Sequence, residues 1–64
     1  MRSNEPKKRL SMCELGDRVI LKGDPGRRVF EVKESPYEGY RDLWIGKHRV
    51  VTAALSHEVE LVSP

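Results

Sequence analysis

Turn-forming residues cut the middle of this chain into pieces too short for stable helices. Gly16-Asp17, Gly23-Asp24-Pro25-Gly26, Ser35-Pro36-Tyr37-Glu38-Gly39 and Gly46-Lys47 are clusters that preset or tolerate turn backbone. The intervals between them, 18–22, 27–34 and 40–45, fall below the roughly 12 residues at which a helix becomes marginal in water. Each interval is instead suited to a strand. Arg18 to Lys22 is β-branched, and Arg27 to Glu34 sets Phe30 and Val32 on one face with Val29, Glu31 and Lys33 on the other. Tyr40 to Ile45 is dense in aromatic and branched residues, and His48 to Thr52 follows it across a tight hairpin turn. Ala53 to Ser56 loses β propensity and suits a single 3₁₀ turn before a short fifth strand at Val59 to Val62. Upstream, Leu10, Met12 and Leu15 have the spacing of one helical turn.

Five short strands and no long helix predict an all-β fold that rolls up. A flat sheet this small would expose an apolar face and two edges. A chain of 64 residues buries only about 60% of its unfolded surface, so the core must be thin. The expected core is Val19, Leu21, Phe30, Val32, Leu43, Ile45, Val51, Leu55, Val59 and Leu61. A core of that size leaves room for a partner or a homodimer to add stability.

The formal charge of +2 is unevenly laid out. Residues 1–9 carry Arg2, Lys7, Lys8 and Arg9 against Glu5 alone, with Pro6 and no apolar residue after Met1. That composition predicts a flexible, disordered basic tail over 1–9, followed by one domain over 10–64. No apolar run approaches the roughly 18 residues that span a bilayer, so no membrane role is expected. A single cysteine, Cys13, excludes an internal disulfide and points to the reducing cytoplasm.

In layout the chain resembles an SH3-like barrel. The resemblance rests on Leu15-Gly16-Asp17-Arg18-Val19, the break from Gly23 to Gly26, and the ending Ala53-Ala54-Leu55 to Glu60-Leu61-Val62. It covers about residues 14–63 and is similar to small bacterial or phage barrels, among them the KOW and Tudor-type modules. Such a likeness implies a five-stranded barrel with a 3₁₀ turn before the last strand. The type II dihydrofolate reductases share this size and layout and work through a Val-Gln-Ile-Tyr stretch in the fourth strand. Here that stretch reads Arg49-Val50-Val51-Thr52, and the chain contains no glutamine, so that activity is not expected.

No other catalytic constellation stands out. Ser56-His57-Glu58 has the residue types of a triad, but neighbours on a strand point to opposite faces. Cys13 has no histidine near it in sequence, and His48, His57 and Cys13 lack metal-ligand spacing. Gly23 and Gly26 are turn glycines without a phosphate-binding helix behind them. The expectation is a non-enzymatic binding module with no cofactor and no metal.

Two ligand classes fit the remaining residues. Arg27, Arg28, Lys47 and Arg49 flank two turns, and with Lys7, Lys8 and Arg9 they could hold the phosphate backbone of RNA or DNA. Seven carboxylates interleave with the basic residues between 10 and 49, which suits a mixed solvated surface as well. The alternative is a protein partner. Tyr37, Tyr40 and Trp44 cluster at a loop and the strand leaving it, where aromatics can line a groove for a peptide or larger subunit.

Overall fold

The computed structural model describes residues 7–62. Six strands form one antiparallel sheet: β1 (Lys7–Arg9), β2 (Arg18–Leu21), β3 (Phe30–Glu34), β4 (Tyr40–Ile45), β5 (His48–Ala54) and β6 (Glu58–Leu61). Their spatial order is β1-β6-β2-β3-β4-β5. The all-β class and the five expected strands are therefore present, with boundaries shifted by a few residues. Among the described residues no helix is long and apolar enough to cross a membrane.

Three features depart from the sequence reading. Lys7–Arg9 is not part of a loose tail, because it pairs with β6 in the register Lys7↔Glu60, Lys8↔Val59 and Arg9↔Glu58. The rest of the expected tail, 1–6, lies outside the described residues. The 3₁₀ turn sits at Leu10–Met12, while the β5–β6 connection is a single turn closed by His57 N donating to Ala54 O at 3.0 Å. Finally, the sheet curls without closing, since no ladder joins β1 to β5 among the described residues. The 3₁₀ turn lies against the β5–β6 connection instead: Leu10 N donates to His57 O at 3.1 Å and Ser11 N to Leu55 O at 2.9 Å.

The core follows from alternation. Phe30 and Val32 on β3 are fully buried, and so are Leu43 across from Val32, Val19 on β2 and Val59 on β6 save for a trace. Leu10 completes the set of large buried side chains from outside the sheet. Each such side chain contributes roughly 1.5–3 kcal/mol on burial. Cys13 and Ala53 are also buried, while Leu21, Val51, Leu55 and Leu61 pack partly against the cluster. Ile45, expected in the core, is 39% exposed because it ends β4 beyond the rim of the cluster.

One irregularity matters for the outer face. Leu43 pairs with Val51 and Trp44 with Arg49, so Val50 is an extra residue in β5. The bulge lies on β5, which leaves the alternation of β4 intact. Tyr40, Asp42 and Trp44 consequently point away from the face that carries Leu43.

Candidate binding surface

The register gathers part of the basic set. Glu31 on β3 lies across from Trp44 on β4, so the segment leading into β3 runs beside the Gly46-Lys47 hairpin. Arg28, Lys47 and Arg49 therefore come toward one end of the β3-β4-β5 strands, while the Arg27 guanidinium reaches across to β6. Lys7, Lys8 and Arg9 belong to the edge strand β1, at the far side of the strand order.

Most of the gathered charge is already matched. Arg27 Nη2 meets Glu60 Oε1 at 2.9 Å, and Arg28 Nη2 meets Asp24 Oδ1 at 3.2 Å. Arg49 Nη1 lies 3.8 Å from Asp42 Oδ2. Lys47 makes no ion pair among the described residues. Arg27 also adopts a positive φ of 48°, a left-handed backbone that is uncommon for any residue with a Cβ. The chain adopts it where the guanidinium bridges to β6. Beside it lies a shallow cleft of about 200 Å³ lined by Ile20, Leu21, Lys22, Gly23, Arg27, Val59 and Glu60.

The aromatic trio divides in two. Tyr37 and Tyr40 bracket a turn in which Tyr40 N donates to Tyr37 O at 3.2 Å, with Gly39 at φ 87° supplying the left-handed step. Both rings are exposed, at 62% and 44%. Trp44 lies four residues along β4, roughly 13 Å from Tyr40 at the usual strand rise. It is half-buried, with the Lys33 ammonium 4.9 Å from its ring centroid and Arg49 opposite in register. Its indole Nε1 is buried with no hydrogen-bond partner among the described residues.

Between Tyr40 and Trp44 sits Asp42, which the sequence reading treated as one ordinary acid among many. Only 4% of it is exposed. Thr52 Oγ1 donates to its Oδ1 at 2.7 Å from the paired position on β5. The carboxylate thus organises the outer face: it accepts from Thr52 and faces Arg49, and it separates the tyrosines from the tryptophan.

Two further side chains were missed. Met12 is 64% exposed and Leu15 56%, although their spacing reads as the apolar side of a turn. Backbone bonds tie their segments to the Tyr37 loop. Ser11 N donates to Leu55 O, Leu55 N donates to Gly39 O at 2.9 Å, and Gly16 N donates to Val32 O at 2.8 Å. Met12, Leu15, Tyr37 and Tyr40 are all carried by elements at this one end.

For catalysis the geometry offers little. Glu58 Oε1 accepts from Lys22 Nζ at 3.0 Å. Cys13 is buried, with its Sγ donating to Arg9 O at 3.6 Å. Among the described residues no group of three or more His, Cys, Asp or Glu side chains is placed to hold a metal ion. No protein-family model, no curated protein and no solved structure matches this chain.

Proposed function

We propose that this chain is a non-enzymatic, SH3-like binding module that docks a protein partner at the Tyr37–Tyr40 corner. The SH3-like assignment draws on the strand order, in which β6 returns beside β2 and the remaining strands follow in sequence. One observation carries the choice of ligand class: Arg27, Arg28 and Arg49 already face carboxylates, whereas Tyr37 and Tyr40 stand exposed on a hydrogen-bonded turn. Exposed tyrosines on a rigid turn supply large contact area at low entropic cost. Selection of a random peptide library on the immobilised chain tests this. Wild-type protein should enrich a set of peptides that the Tyr37→Ala/Tyr40→Ala double variant fails to hold. Equal retention by both proteins would overturn the reading.

A second reading has one observation in its favour. Lys33, Trp44, Lys47 and Arg49 lie close together around the β4–β5 hairpin, an arrangement that suits a phosphate backbone with one stacked base. Fluorescence anisotropy with mixed-sequence RNA and DNA oligonucleotides at about 50 mM salt decides it. Binding that weakens steeply with salt and disappears in Lys47→Glu supports it, and absence of binding at that salt removes it.

A further inference from the structure

We infer that the partner segment is cationic and carries apolar anchors, and that it seats on the end of the molecule where Met12, Leu15 and Tyr37 are exposed. The inference rests on the protein-docking reading above. Of the large hydrophobic side chains in the described residues, these three are the most exposed, each by more than half. They lie on three segments that backbone hydrogen bonds to β3 and to the residue after β5 hold at one end of the molecule. Exposed apolar residues gathered in one place mark an interaction surface, whereas the same residues scattered singly would not.

Charge then selects the occupant. The carboxylates that form ion pairs, Asp24, Asp42, Glu58 and Glu60, all lie elsewhere. Glu14, Asp17, Glu34 and Glu38 make none among the described residues, and they lie on the segments that carry Leu15 and Tyr37. Asp17 Oδ2 accepts from Glu14 N at 2.9 Å, which fixes the turn bearing Leu15 but leaves the negative charge in place. Three cations adjoin these segments: Arg18 stands across from Glu31 in register, the Lys33 ammonium lies over the Trp44 ring, and Arg41 Nη1 donates to the Tyr40 carbonyl. An anionic partner is repelled here, and a purely apolar one would desolvate carboxylates without compensation. A cationic segment with apolar anchors satisfies both components.

The test uses three short synthetic peptides, leucine–lysine, serine–lysine and leucine–glutamate, titrated into the isotope-labelled full chain at about 50 mM salt. The leucine–lysine peptide should shift the amides of Met12, Leu15, Tyr37 and Glu38 and bind at least tenfold more tightly than serine–lysine. The leucine–glutamate peptide should leave those amides in place. Charge reversal in Glu34→Lys/Glu38→Lys should weaken leucine–lysine binding about tenfold. Both positions are exposed, and retained amide dispersion verifies the fold. Should the double variant misfold, raising salt to about 300 mM on the wild type must weaken binding comparably. Equal binding of the acidic peptide, or shifts confined to Trp44 and Arg49, overturns the inference. So does self-association by light scattering that Tyr37→Asp abolishes, which would assign the surface to a second copy. If library peptides depend on Tyr37 and Tyr40 yet show no excess of lysine and arginine, this inference falls and the docking reading stands. If they do not depend on those tyrosines, both fall.

Discussion

Asp24 illustrates how much one turn residue can organise. Its Oδ2 accepts from Arg28 N at 2.8 Å and from Arg28 Nε at 3.3 Å, while Oδ1 faces Arg28 Nη2 at 3.2 Å. These side-chain and backbone bonds from Arg28 hold the carboxyl below its ordinary range. A depressed folded-state value contributes stability above the unfolded value, near about 3.9, and loses it as pH falls through the folded one. Asp24→Asn should therefore lower the urea midpoint at neutral pH, with the gap to wild type narrowing as pH falls below about 4. A gap independent of pH across that range would show that the charge of Asp24 adds nothing. At this scale the sequence was legible where alternation operates, as at Phe30 and Val32. It was not legible at Asp42, whose burial depends on Thr52 standing opposite, and that pairing exists only once the register is set.

Elements were easier to read than residues, because the breakers do the same work in the sequence and in the structure. The β4–β5 hairpin is the clearest case. Gly46 has φ 61° and Lys47 has no positive φ, the pattern of a type II′ turn, which matches the twist of the flanking strands. No atom would crowd an added Cβ at Gly46, so the cost of a side chain there is purely conformational. Gly46→Ala should destabilise by roughly 1 kcal/mol or more, while Lys47→Ala should be close to neutral in the same urea titration. Tyr40 to Ile45 matched its expected bounds since both ends are fixed by glycine. Arg27 to Val29 did not join β3, because the left-handed Arg27 keeps the chain turning after Gly26. The extra residue at Val50 had no local signature: nothing in a run of β-branched residues marks which of them lacks a partner.

For the whole molecule, the decisive residue lies outside the expected barrel. Leu10 is fully buried although it belongs to neither β1 nor β2, and its turn lies against the β5–β6 connection. Packing by this turn accompanies a ladder that stays open between β1 and β5. Leu10→Ala should cost about 2–5 kcal/mol, as much as Leu43→Ala in the middle of the sheet. Small domains hold only about 5 kcal/mol in total, so both variants should melt at sharply and comparably lowered midpoints in thermal scans. A mild effect at Leu10 alone would mean the turn is an ornament on a self-sufficient sheet. Sequence pattern pointed to a turn at Leu10 but not to its burial, since the contacts that cover it come from the opposite end of the chain. The pairing of Lys7 with Glu60 reaches further still. Polypeptide enters and leaves the sheet on adjoining strands, about 5 Å apart. A short linker from Val62 back to Lys7 would allow the backbone to be opened at Gly46 with the other pairings kept, and the same adjacency suits grafting the unit whole into a loop of a larger host.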